Sequence, residues 1–323
     1  MNPGAAAEPL TTILLVALQV LLVGGLAPLL AGTIRRTKAR LQSRRGASVW
    51  QPYFELRKLW SKSTVESDVA SPVTRHAPVI VLSILITAAL LVPTVAARAP
   101  LSAWGDMLAV VGLLAAARFA LALAALDAGS AFGGMGSSRE VAIAALIEPG
   151  LVLALSGAAL AAGSTDLGAI SANGATRGLD LLTPAHLLAA AAFAIIAVAE
   201  TGHLPVDNPD THLELTMVHE GMILEASGRR LALLLFAAHL RQALIVALFA
   251  AAFVPFGLAT DLRPAALFVG GLAFIAKLFI AGQALALADA TMPKLRILRL
   301  PEYMGLAAGI AVVAIAARIW LPA

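Results

Sequence analysis

LALLLFAAHLRQALIVALFAAAFVPFG, residues 231–257, carries one full charge, Arg241, in a run long enough to cross a bilayer. A spanning helix needs about 20 mostly apolar residues. Inside hydrocarbon every backbone N–H and C=O must pair within its own segment, which selects helices for runs of this length. Seven more runs of the kind occur, at roughly 11–31, 78–97, 104–126, 141–162, 184–200, 263–289 and 303–321. No alternating pattern points to a barrel. The expectation is an all-α, polytopic integral membrane protein with eight transmembrane helices, forming a single membrane domain over residues 1–323. Composition agrees: the 323 residues are 60% hydrophobic and 13% charged, with a mean hydropathy of +0.88, whereas a soluble domain has about 25% charged residues.

Lys and Arg set the orientation. The loop after the first run holds Arg35, Arg36, Lys38, Arg40, Arg44, Arg45, Arg57, Lys58, Lys62 and Arg75. Further loops on the same side hold Arg139, then Arg229 and Arg230, then Lys294, Arg296 and Arg299. The opposite side has only Arg98, Arg177, Arg263 and Arg318. Sixteen bases against four put both termini outside, with amphipathic cytoplasmic loops at about 32–77, 127–140, 201–230 and 290–302. The first run follows Glu8 with no preceding Lys or Arg, which suits an uncleaved anchor better than a signal peptide.

The third cytoplasmic loop is chemically unusual. AETGHLPVDNPDTHLELTMVHEGMILEAS, residues 199–227, holds Glu200, Asp207, Asp210, Glu214, Glu220 and Glu225, three of the six histidines, and no Lys or Arg. Asn208-Pro209 reads as an N-cap and a first-turn proline, and Ser227-Gly228 as a terminus. A helix over about 210–226 would align Asp210, Glu214 and Glu225 on one stripe. Two readings stand: a solvated loop helix, or a helix packed against the protein with its acids facing a wet cavity or a partner. His212 and His219 are seven apart and HEGMI is not HExxH, so no metal ligands are assigned. The chain has no cysteine, which excludes disulfides and cysteine-ligated iron–sulfur, nickel or zinc within it.

Ionisable residues also lie inside the runs: Arg118, Glu148, Arg241 and Lys277, with Asp289 at a run end. Each costs about 2.5–3.5 kcal/mol at a helix centre unless paired or hydrated. Glu148 is expected to pair with Arg118, Arg241 or Lys277. Pro149 follows it, and a proline frees a carbonyl one turn back. These groups are either structural ion pairs or parts of a proton or ion path. RLQSRRGASVWQPYFELRKLW, residues 40–60, mixes bases with aromatics. It is either an interfacial segment held by anionic lipid or a docking surface. DAGSAFGGMGSSRE, residues 127–140, reads as a glycine-rich turn and lacks the phosphate-loop GxxxxGK.

ETGHLPVDNPDTHLELTMVHEGMILEASG, together with RRGASVWQPYFELRKLW and DAGSAFGGMGSSRE, resembles the membrane subunit of formate hydrogenlyase and hydrogenase-4-type complexes. That membrane protein is of the same family as subunit 1 of respiratory complex I. The resemblance covers essentially the whole chain. PVDNPDTHLE stands where complex I versions carry PFDLxEAExE, which brings the chain nearer the hydrogenase-type branch. Val206 replaces the usual Phe, and His203 stands where the family often has Arg.

The resemblance implies a subunit of the bacterial cytoplasmic (inner) membrane. It would join peripheral hydrogenase-like large and small subunits to antiporter-like membrane subunits, with no nucleic-acid partner. It implies a relay in which Glu148, Glu200, Asp207, Glu214, Glu220 and Glu225 fall on matching acidic positions; the residues themselves add Asp210 and, at membrane depth, Arg118, Arg241 and Lys277 to the expected path. Docking of the redox module falls to Arg44, Arg45, Trp50, Gln51, Tyr53, Arg57, Arg139 and Glu140. No cofactor is expected in this chain. Iron–sulfur clusters would lie in partner subunits, while nickel–iron there and a bound quinone are left open. Three alternatives accompany this expectation: the quinone-chamber subunit of an NADH–quinone oxidoreductase, a stand-alone secondary transporter, and a passive anchor.

Overall fold

In the computed structural model, residues 3–320 are described except 66, 68, 98–100, 102–103, 208–217, 260, 294 and 296–298; for residues 3–12 only the helical backbone is described. Helices dominate: α1 (Pro3–Leu41), α2 (Gln51–Trp60), α3 (Pro72–Leu91), α4 (Met107–Asp127), α5 (Ala131–Ala162), α6 (Leu167–Arg177), α7 (Pro184–Glu200), α8 (His219–Ile223), α9 (Gly228–Phe253), α10 (Pro264–Thr291) and α11 (Leu300–Trp320). Among the described residues the extended pairings are two isolated bridges, Ala96 with Ala259 and Asp106 with Asp166. The protein is an all-α, multi-span membrane protein.

The helix starts follow capping chemistry. Ser71, Asp106, Ser130, Asp166 and Thr183 each accept a backbone N–H of the turn they precede, and Pro72, Pro184 and Pro264 occupy first helical positions. Both devices use the donors that a helix start leaves without partners. Among the described residues, seven helices are long and apolar enough to cross a membrane. The run at 184–200 forms α7, of 17 residues. With α6 and a short 3₁₀ turn at Gly178–Leu181 it makes a pair bent by 119°, which brings the number of spans to eight if that pair counts as one.

α9 is the hub. In its most apolar stretch 72% of residues are buried, against 28% in α1 and α10 and 22% in α11. It packs on α1, α2, α3, α6, α7 and α10. Its phenylalanines Phe249 and Phe253 stack with Phe193 and His186 of α7 at ring separations of 5.5–5.8 Å. Buried apolar residues from α1, α3–α5, α7, α9, α10 and α11 join in one contiguous cluster.

Three segments differ from the sequence reading. The glycine-rich stretch 127–140 is mostly helix, because Ser130 caps α5 and the Gly133 side of the helix is pressed to the Ala125 carbonyl. Of the helix expected over 210–226, residues 208–217 lie outside the described residues, and the remainder is helical only at His219–Ile223. Ser227-Gly228 does not end it but opens α9, with Gly228 at φ +53°. The loop at 32–77 is largely ordered: α1 continues to Leu41, and α2 lies against α1 and α9. A Cβ at Gly32 would sit 2.0 Å from the Val49 carbonyl oxygen, so only glycine allows this approach of the incoming segment to α1. The Tyr53 hydroxyl donates to the Gly25 carbonyl, while Trp50, Phe54 and Trp60 are left exposed.

Candidate functional site

At the heart of the bundle the Arg118 guanidinium of α4 gathers three carboxylates. It is 4% exposed. Its Nη2 donates to Glu200 Oε2 at the end of α7. Its Nε lies 3.3 Å from Glu140 Oε1, and its Nη1 lies 3.7 Å from Glu148 Oε1. Glu140 and Glu148, eight apart on α5, share the face turned to α4. Glu140 also meets Arg241 Nη1 of α9 at 3.7 Å. With every group ionised, three carboxylates face two guanidiniums, one negative charge in excess.

Buried charge of this kind is tolerated only when paired and hydrogen-bonded. Here the satisfaction is incomplete. Arg118 Nε and Nη1 and Glu200 Oε1 are enclosed without a hydrogen bond of good geometry. They border a void of about 10 Å³ lined by Arg118, Glu140, Glu200, Asp207, His219 and Arg241. That is about the room a single water occupies. The cluster has two further polar flanks. On one side Glu148 is the least covered member, its side chain 35% exposed beside the outward-facing Pro149. On the other, Asp207 and His219 line both the void and a cavity of about 620 Å³. Asp207 Oδ2 accepts the His219 backbone N–H at 3.3 Å. Burial pushes the His219 imidazole down to about pKa 3, with Arg241 and Arg118 adding to the effect and Glu200 opposing it.

The large cavity has a second buried cluster on its wall. Asp289 of α10 takes His203 Nδ1 at 2.7 Å, the Leu204 N–H at 2.9 Å and Lys38 Nζ of α1 at 3.7 Å. His203 Nε2 meets the Gln242 side-chain amide of α9. Sequence reading missed this cluster as a unit. Its signals were an acid at the end of a run and a histidine in place of the family's arginine, with nothing local to join them.

Several sequence-assigned residues stand elsewhere. Lys277 is half-buried on α10. The Glu148 partner is Arg118, and no ion pair among the described residues involves Lys277. Asp210 and Glu214 lie outside the described residues. Glu225 is exposed in the turn after α8, and Glu220 is half-buried on the cavity wall. Of the residues assigned to docking, Glu140 is instead buried beside Arg118. Tyr53 ties α2 to α1. Arg139 and Gln51 are half-buried, whereas Arg44, Arg45, Trp50 and Arg57 are exposed, Arg44 and Arg45 at the cavity.

A family model described as NADH dehydrogenase matches residues 12–319. The chain belongs to the NADH dehydrogenase family. The Arg118 cluster and the His203 cluster both fall within the matched span of this family. Hydrogenase-4 component C of Escherichia coli (strain K12) is 34% identical over 296 residues, covering 92% of each chain. Formate hydrogenlyase subunit 4 of the same strain is 33% identical over 280 residues, covering 87% of this chain and 90% of the relative. Among solved structures, a chain of the membrane-bound sulfane sulfur reductase, an archaeal respiratory membrane complex, superposes with a TM-score of 0.80. At 22% identity over 94% of this chain and 98% of the other, it shares the fold. The family resemblance expected from the 200–228 stretch is borne out, and these relatives are of the hydrogenase-type branch.

Proposed function

We propose that this NADH dehydrogenase family chain is the membrane-anchor and coupling subunit of a hydrogenase-4- or formate hydrogenlyase-like complex of the bacterial inner membrane. It links a peripheral redox module to proton or sodium translocation. The supporting observation is the continuous polar series from the 620 Å³ cavity through Asp207 and His219, past Glu200, Arg118 and Glu140, to the partly exposed Glu148. Within it, the one-charge excess of carboxylate in the Arg118 cluster gives a place for a proton that a fully matched ion-pair network would lack.

The names of the two relatives support the hydrogenase-like assignment. Peripheral large and small subunits carry the electron chemistry in this reading, because the chain offers no cysteine to hold an iron–sulfur or nickel–iron centre. Exposed Arg44, Arg45, Trp50 and Arg57 form the docking face, and antiporter-like subunits receive the ion signal at the Glu148 flank. The loops that carry the bases face the cytoplasm.

The quinone-chamber reading has one observation of its own. A cavity of about 270 Å³ between α1, α2, α3 and α9 is lined by Val20, Leu21, Pro28, Tyr53, Ile86 and Phe236. This lining is nearly all apolar and fits a prenyl chain, with Tyr53 as the polar member; a quinone there would supply two-electron redox chemistry. The deciding experiment replaces Glu148 by Gln in the assembled complex and measures electron transfer and ion uptake in membrane vesicles. Loss of uptake with assembly intact supports coupling. Normal assembly, electron transfer and uptake together would leave only a passive anchor.

A further inference from the structure

The His203 cluster is a buried set of titratable groups outside the Arg118 constellation, and its geometry accommodates two protonation states. In the neutral form, His203 Nδ1–H donates to Asp289 at 2.7 Å while Nε2 accepts from the Gln242 amide. Imidazolium has donors at both nitrogens and needs an acceptor at each. A half-turn of the Gln242 amide supplies its carbonyl oxygen as that acceptor. A backbone N–H or C=O in the same place would satisfy one form and orphan the other. Asp289 is tied down independently by Leu204 N–H and faced by Lys38. Its charge is therefore countered whether or not His203 holds a proton.

We propose that His203, with Asp289 and Gln242 as its positioning residues, is a proton-holding station that loads from the 620 Å³ cavity and supplies the Arg118 cluster. This rests on the coupling reading above. The proton binds His203 Nε2 from the cavity side. It leaves from Nε2 to a carboxylate oxygen of Asp207, so that imidazolium and carboxylate become imidazole and carboxylic acid. The turn after α7 brings Asp207 onto the same wall, its N–H donating to the His203 carbonyl at 3.3 Å. Asp207 in turn borders the void that Arg118 and Glu200 share. The other groups that set the local field are Arg35 and Lys38 of α1, Arg44 and Arg45 after it, His219 and Glu220 of α8, and His239 of α9. Arg241, next to Gln242, faces the Arg118 side.

The test uses inner-membrane vesicles carrying the assembled complex, driven by reduced methyl viologen, with a pH-sensitive dye reading proton uptake per electron between pH 5 and 8. His203→Arg keeps a cation beside Asp289 but cannot release a proton. It should assemble, and its uptake should be lower by at least about tenfold, with the inflection that histidine gives in this pH window removed. Gln242→Met removes the acceptor for the charged form, so the inflection should move to lower pH. It decides the matter alone if His203→Arg does not assemble. Wild-type uptake and pH profile in His203→Arg, or an unmoved inflection in Gln242→Met, would overturn the station. Glu148→Gln run alongside separates the two readings. Loss there with a normal His203→Arg removes only the station, while normal uptake in both removes the relay as well.

Discussion

Replacing Arg118 by Leu should be among the most damaging single changes in the bundle, and its cost can be traced to particular oxygens. Glu140 would still have Arg241 at 3.7 Å. Glu200, 2% exposed, and Glu148 would have no cation left among their described partners. Removing one partner of a buried pair typically costs about 3–5 kcal/mol, because the other charge stays buried without compensation. The assay is unfolding by SDS titration in mixed micelles, followed by tryptophan fluorescence, at a series of pH values from about 8 down to about 5. A double variant, Arg118→Leu with Glu200→Leu, removes both charges and should recover most of the stability. If Arg118→Leu unfolds as the wild type does, or if the two single losses add without interaction, Arg118 is not the counter-ion that the geometry makes it.

Two further outcomes follow from local geometry. Gly32→Ala would place a Cβ 2.0 Å from the Val49 carbonyl oxygen and should cost about 1–3 kcal/mol as an overpacked contact, loosening residues 45–60 to protease. Gly25→Ala, with no atom within 4 Å of its Cβ, is the matched control and should change little. His219 is held neutral in the fold, since its pKa is lowered from 6.5 to about 3. The unfolded chain therefore binds the extra proton between those values, and stability should decline as pH falls below about 6.5. The slope from this one group is at most about 1.4 kcal/mol per pH unit. His219→Gln should flatten that slope in the same SDS titration, and an unchanged slope would show that burial does not set its charge.

How much of this was legible in the residues varies with how local the cause is. The run at 231–257 becomes α9 at Gly228–Phe253 because apolar length and backbone pairing act within one segment. The stretch 127–140 reads as a turn because its glycines signal flexibility in isolation. In the bundle Gly133 and Gly136 are small for a different reason, letting α5 press on the Ala125 and Val218 carbonyls. That misreading also cost Glu140 its role, since a residue assigned to a loop was given to the surface rather than to Arg118. The Arg118–Glu148 pairing was among those expected, because few opposite charges exist at membrane depth. The union of His203 and Asp289 was not legible: 86 residues separate them, and only the packing of α9 and α10 beside the 201–207 turn brings them together.

The short strap between α2 and α9 has a mechanical corollary. Ser227 Oγ accepts the Val65 N–H at 2.7 Å and donates to the Val65 carbonyl at 2.9 Å, and Arg229 Nε donates to the Trp60 carbonyl at 3.3 Å. The aromatic helix at the rim and the turn that carries Glu220 and Glu225 are thus pinned like two pages of one binding. A neighbouring protein that grips Trp50 or Trp60 from outside would shift those acids without touching them, by leverage rather than by charge.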